Sequence, residues 1–192
     1  MAITNHNKAI FIDRDGTLIK ECDYLSRPSQ IKYFKSSFSA LRKLMAAGYK
    51  LIMITNQAGI AKGYFTLEDM RKVHKKIVDD FHKQNIFLDE ILSCPHHPQG
   101  IIKKFAIDCD CRKPKLKLFQ TAIEKYSINV HQSFFIGDKL TDIQSAQKLG
   151  GTSILLRTGH GREEAAKAKK NGWSPDYILN NLNSAVKIIL ES

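Results

Sequence analysis

Short apolar blocks alternate along the chain with longer stretches in which apolar positions recur every three or four residues. The blocks at 9–12 (AIFI), 50–55 (KLIMIT), 86–93, 133–136 and 152–157 (TSILLR) predict five strands. Most are apolar without alternation, the pattern of strands covered on both faces. Helical spacing links Phe38, Leu41, Leu44 and Met45, with Ser36 or Ser37 as cap and Gly48 as stop. A second helix opens at Thr66, with Asp69 placed for a capping box, and carries Leu67, Met70, Val73, Ile77, Val78 and Phe81 to about Lys83. Further helices are predicted through Leu116, Phe119, Ala122, Ile123 and Tyr126, over 140–149, and through Leu182, Val186 and Ile189. Segments 20–35 and 94–111 carry no period and read as loops. The alternation predicts one α/β domain over 1–192, a doubly wound parallel sheet with helices on both faces.

Strand ends carry the polar residues. The first block runs straight into Asp13-Arg14-Asp15-Gly16-Thr17. In extended backbone Asp13 and Asp15 share a side, and two carboxylates so close call for a hard cation such as Mg²⁺. One can then attack while the other holds or takes a proton. The second block ends on Thr55, followed by Asn56 and Gln57, and the fourth leads into Gly137-Asp138. All carboxyl ends of a parallel sheet lie on one edge, so these groups can converge.

Composition narrows the partners. The chain has 192 residues, 43% of them apolar and 26% charged, and a formal net charge of +11. Its lysines are spread in pairs rather than gathered in one tract, and no basic stretch is interleaved with aromatics for stacking bases. A small anionic substrate satisfies the charge, and no nucleic-acid partner is expected. No apolar run approaches the ~20 residues that cross a bilayer, and the N-terminal MAITNHN lacks an apolar signal segment. A cytoplasmic monomer with no membrane association is expected.

DRDGT after an apolar strand resembles the nucleophile motif of the haloacid dehalogenase (HAD) superfamily of phosphohydrolases. Thr55, Lys113 and the run Gly137-Asp138-Lys139-Leu140-Thr141-Asp142 resemble that superfamily's remaining motifs, in order. The resemblance implies a Rossmann-like HAD fold in which Asp13 attacks phosphorus and Asp15 protonates the leaving oxygen, then activates water. It also implies Mg²⁺ held by Asp13, Asp138 and the backbone carbonyl of Asp15, with Thr55 and Lys113 on the phosphoryl oxygens. Asp142, one helical turn beyond Asp138, would orient the loop.

The loop from Cys94 to Cys111 contains Cys94, His96, Cys109 and Cys111 in a C-x-H, C-x-C arrangement. Three thiolates and an imidazole make a closed tetrahedral zinc set, with His97 as an alternative to His96. Pinning Cys111 would aim Arg112 and Lys113 at the site. CPHHP followed by CDCRKPK resembles a family of small HAD phosphatases, comprising histidinol-phosphate and D-glycero-D-manno-heptose 1,7-bisphosphate phosphatases, whose zinc is structural. The long spacing and PHHPQG resemble the heptose branch. That likeness implies removal of the 7-phosphate on the way to nucleotide-activated heptose for lipopolysaccharide. Histidinol-phosphate phosphatase is the alternative, and polynucleotide 3′-phosphatase a more remote one. No segment is long enough for a large cap, so short loops must shape the pocket for a phosphorylated sugar. They are the zinc loop, Glu21, Cys22 (a free thiol), Asp23 and Tyr24, and Asn56, Gln57 and Ala58. Arg112 is expected on the second phosphate, with Lys139 as the alternative.

Overall fold

The computed structural model describes residues 7–192. The first six residues, whose lack of an apolar signal entered the reading above, lie outside it. The strands are β1 (Ala9–Ile12), β2 (Lys50–Asn56), β3 (Glu90–Cys94), β4 (Phe134–Gly137), β5 (Thr152–Leu156) and β6 (Tyr177–Leu179). All are parallel, in the order β3-β2-β1-β4-β5-β6. The helices are α1 (Ser37–Ala46), α2 (Ala58–Ala61), α3 (Leu67–His82), α4 (Lys117–Tyr126), α5 (Leu140–Leu149), α6 (Gly161–Lys170) and α7 (Leu182–Glu191).

The apolar blocks lack alternation because both faces of the sheet are covered. Ile10 and Ile12 pack with Leu41 and Leu44 of α1, Val73, Ile77 and Phe81 of α3, and Leu182 and Val186 of α7. Ala9 and Phe11 point the other way, to Phe119 and Ala122 of α4 and Ala146 of α5. Full burial contributes roughly 1.5–3 kcal/mol for each large aliphatic or aromatic side chain. The centre of the sheet is therefore rigid, and the residues that leave it start from fixed positions.

Chain order makes the site. From β1 the chain steps outward to β2 and β3, then returns to lay β4 on the other side of β1. That reversal opens a crevice at the carboxyl ends of β1 and β4, where ligands of open α/β sheets bind. The Asp13 N–H donates to Ile136 O at 2.9 Å, so the nucleophile position is still tied to the neighbouring strand.

Thr66 caps α3 as expected: its Oγ1 accepts from Asp69 N at 3.1 Å, and Asp69 Oδ2 accepts from Thr66 N at 2.9 Å. Three elements were not foreseen. β6 is three residues long and largely exposed, too short to carry a period. α6 (GREEAAKAKK) buries only Gly161 and Ala168, so its helicity lies in alanine, glutamate and lysine propensity rather than in an apolar stripe. α2 is a single turn. The third strand begins at Glu90 rather than at 86, because Asp89 turns its carboxylate back to accept from Leu51 N at 2.8 Å. Among the described residues no helix is long and apolar enough to cross a membrane.

Candidate active site

Three strand ends and one loop converge. Asp13 follows β1, Thr55 sits near the end of β2, Asp138 follows β4, and Lys113 enters from the loop beyond Cys111. Lys113 is 3% exposed. Its Nζ donates to Asp13 Oδ1 at 2.8 Å and to Ile54 O at 2.7 Å, and lies 2.6 Å from Asp142 Oδ1. Burial pulls Lys113 down, but Asp13 and Asp142 outweigh it and hold the ammonium charged. Asn56 fixes the approach, because its amide accepts from Lys113 N at 3.0 Å and donates to Lys113 O at 3.1 Å.

Carboxylate oxygens of Asp13, Asp138 and Asp142 all lie within 4.8 Å of one another, in a fully buried group. Burial, then the charge of Asp13, pushes Asp138 up to about 8. Burial likewise pushes Asp142 up to about 6, against the pull of Lys113. Asp138 Oδ1 and Asp142 Oδ2 are buried without a hydrogen-bond partner. Buried unpartnered carboxylate oxygens are costly unless something charged meets them, so the donor set fits a hard divalent cation. Space is tight: a Cβ on Gly16 would stand 2.0 Å from Asp138 Oδ2, and one on Gly159 2.1 Å from the same atom.

Asp15 takes no part in that carboxylate group. Its oxygens accept from Arg14 Nε at 3.1 Å, from Arg14 Nη2 at 3.0 Å and from Gln57 Nε2 at 2.9 Å. Gln57 Nε2 also donates to Thr55 Oγ1 at 2.8 Å, and Gln57 Oε1 accepts from Arg14 Nη2 at 3.0 Å. Asp13, Asp15, Thr55, Lys113 and Asp142 line a small hollow of about 30 Å³, with Asn56, Lys139 and Thr141.

Beside it lies a cavity of about 300 Å³. Glu21, Cys22, Asp23, Tyr24, Asn56, Gln57, Ala58, Arg112 and Lys139 all line it. Lys139 faces both spaces and lies 3.5 Å from Glu21 Oε2. Burial would lower it, yet Asp13, Asp138, Glu21 and Asp15 together raise it.

In the loop at 94–111 the side-chain donors of Cys94, His96, Cys109 and Cys111 also lie within 4.8 Å of one another. Cys111 Sγ is 2.9 Å from Cys94 Sγ and 3.3 Å from Cys109 Sγ, and His96 Nδ1 is 3.2 Å from Cys111 Sγ. His96 is thus the imidazole of the group. His97 instead lines the cavity, and its Nδ1 accepts from Gln99 N at 3.2 Å. Cys22 stands apart from the group, with Gln30 Nε2 at 3.8 Å. Three soft thiols and an imidazole with no open position fit a structural transition metal.

Comparison with known proteins agrees with this geometry. Residues 110–185 match the HAD-hydrolase-like family model, which takes in Lys113, Asp138 and Asp142. The D-glycero-alpha-D-manno-heptose-1,7-bisphosphate 7-phosphatase of Photorhabdus laumondii is 36% identical over 96% of this chain and 98% of its own. The D-glycero-beta-D-manno-heptose-1,7-bisphosphate 7-phosphatase of Haemophilus ducreyi is also 36% identical, over 95% of this chain and 98% of its own. The chain belongs to the heptose-bisphosphate phosphatase family of HAD hydrolases. A crystal structure of the D,D-heptose 1,7-bisphosphate phosphatase of B. bronchiseptica, with magnesium and phosphate, superposes with a TM-score of 0.84. It is 26% identical and covers 96% of this chain and 98% of that one. The family settles the choice between branches: the heptose reading stands over histidinol phosphate.

Against that family background, sequence reasoning missed several residues of the site. Arg14 lies inside the DRDGT motif, yet its burial and its hold on Asp15 are invisible without the fold. Lys62 and His160 line the cavity from outside every motif, and Thr141 lines it from inside the 137–142 run without having been singled out. His160 N also donates to Asp138 Oδ2 at 2.8 Å.

Proposed function

We propose that this phosphatase removes the 7-phosphate of a D-glycero-D-manno-heptose 1,7-bisphosphate through a phosphorylated Asp13. The observation that carries the reading is the meeting of Asp13, Thr55 and Lys113 around one small hollow at the edge of a larger cavity. Asp13 attacks phosphorus in line, giving an aspartyl-phosphate and the sugar alkoxide. Lys113 Nζ, already at Asp13, and the Thr55 hydroxyl hold phosphoryl oxygens. Asp15 gives its proton to the leaving oxygen, then takes one from the water that opens the intermediate. Mg²⁺, held by Asp13, Asp138 and the backbone carbonyl of Asp15, would supply positive charge against the phosphoryl oxygens. Zinc, held by Cys94, His96, Cys109 and Cys111, would fix the loop that delivers Arg112 and Lys113.

The uncleaved phosphate belongs with the basic groups of the cavity wall. Lys62, His97 and Arg112 line the cavity, and none is in an ion pair among the described residues. Desolvation lowers His97, and the nearby charges of Arg112 and Lys62 lower it further, the signature of a crowded cationic rim. An anion relieves that crowding. A cluster of three free thiols suits a reducing compartment, which supports a cytoplasmic reading. Phosphate release from a heptose 1,7-bisphosphate, histidinol phosphate and a 3′-phosphorylated oligonucleotide tests the reading. The bisphosphate should be preferred by at least about tenfold in kcat/KM. Equal turnover of histidinol phosphate would contradict the substrate while leaving the hydrolysis in place.

A further inference from the structure

His74 is a half-buried titratable group that the chemistry above leaves without a role. It sits on α3, far in sequence from every motif. Arg14 Nη1 lies 3.1 Å from His74 Nε2. A guanidinium has only N–H donors, so Nε2 must be the acceptor and the ring neutral, with its proton on Nδ1. Burial, then the neighbouring guanidinium, pushes His74 down to about 3, although Asp15 pulls the other way. Arg14 itself is 1% exposed. An unmet buried donor is expensive.

We propose that His74 is a positioning residue for phosphoryl transfer: by accepting from Arg14 Nη1 it sets the guanidinium fork that aims the Asp15 carboxyl group. The chain of contacts is continuous. His74 fixes one arm of Arg14, whose Nε and Nη2 hold Asp15. The same Nη2 meets Gln57 Oε1, and Gln57 Nε2 joins Asp15 to Thr55 on the phosphate side. Removing the acceptor frees the Nη1 arm to turn toward another acceptor, and the fork turns with it. Asp15 would then be misaligned for giving a proton to the leaving oxygen, while Asp13, Lys113 and the metal ligands keep their places. This inference rests on the reading of Asp15 as the proton donor.

The test compares leaving groups. His74→Leu removes the acceptor and fills the space; His74→Gln keeps an acceptor within reach. His74→Ala carries the same expectation as leucine and keeps the test open if leucine does not fold. Magnesium-loaded enzyme in excess is given an alkyl phosphate, the best sugar phosphate found, or p-nitrophenyl phosphate, and release of the leaving group is followed over one turnover. An alkoxide needs the Asp15 proton, whereas p-nitrophenolate leaves without it. His74→Leu should slow alkyl release about tenfold, about 1.4 kcal/mol, and p-nitrophenol release by less than about twofold. His74→Gln should recover most of the alkyl rate. Equal slowing of both esters, or of neither, would overturn the proposal and leave His74 a packing residue. If the heptose substrate is wrong, only the choice of alkyl ester changes, and the contrast between esters still decides His74.

Discussion

Two groups of side chains that could hold a metal lie on either side of Lys113, and they are built differently. The carboxylates of Asp13, Asp138 and Asp142 hang from strand ends and from the start of α5, in a fully buried group. Their oxygens are hard donors, and two of them have no partner. The donors of Cys94, His96, Cys109 and Cys111 are soft, and three of the four residues are only half-buried. They belong to a loop that, apart from the end of β3, no sheet supports, and they crowd one another at 2.9–3.8 Å. The first group is held in place by the fold and leaves room for a ligand. The second must hold its own backbone in place and leaves no open coordination position. On the proposed reading a metal at the strand ends would serve turnover, and one in the loop would serve shape. Lys113 depends on both, since the loop delivers it and the carboxylates receive it.

The largest expected effects would cross if the two groups were interchangeable. Asp13→Asn should lower kcat by at least about a thousandfold, about 4 kcal/mol, with zinc content and thermal stability near those of the parent. Cys109→Ser should do the reverse first. Zinc by elemental analysis should fall from about one per chain towards zero, and the melting temperature by at least about 5 °C, roughly 2 kcal/mol at this chain length. Kinetics, elemental analysis and calorimetry on both variants check the pair. A Cys109→Ser protein that keeps its zinc and its stability would dissolve the distinction.

A smaller effect separates the groups by pH. Asp138 binds its proton up to about 8 in the folded protein without metal, whereas an unfolded Asp releases it near pH 4. Between those values the folded chain holds more protons than the unfolded one. Stability contributed by protonated Asp138 is thus full below about pH 4 and lost as pH rises to about 8, a change on the order of several kcal/mol. Denaturant midpoints of magnesium-free enzyme should fall across that window, Asp138→Asn should flatten the fall, and saturating Mg²⁺ should reverse it. A metal-free profile indifferent to Asp138→Asn would show that the carboxylate is not strained.

The smallest effect concerns the rim. Arg112→Ala should cost about tenfold in kcat/KM on the bisphosphate, about 1.4 kcal/mol, and less on a monophosphate. Lys113→Ala should cost both substrates alike. Equal losses for Arg112→Ala on the two substrates would remove it from the second phosphate.

What could be read without coordinates follows the same divide. Buried strands announce themselves as apolar blocks, and the polar residues that end them stand out. Asp13, Thr55 and Asp138 were legible for that reason, and so was the sheet. The cysteines were legible because their chemistry is rare and their spacing close. β6 and α6 were not, since an exposed three-residue strand and a helix with a thin apolar stripe leave little periodic signal. Lys62 and His74 were silent for another reason. One lysine among 30 basic residues, or a histidine on a helix, gains meaning only from what the fold sets opposite it. Asn56 lines the cavity, and its amide is also paired with the backbone of Lys113, a pairing 57 residues apart that no local pattern encodes.

The central claim is that Asp13 carries the phosphoryl group between two half-reactions. Enzyme mixed with a heptose 1,7-bisphosphate, quenched within one turnover and treated with borohydride should have its acyl-phosphate reduced. Peptide mass mapping should then find homoserine in place of Asp13, and Asp13→Asn should give no such product. Reduction at Asp15 or Asp138, or no reduced carboxylate while turnover proceeds, would contradict the account.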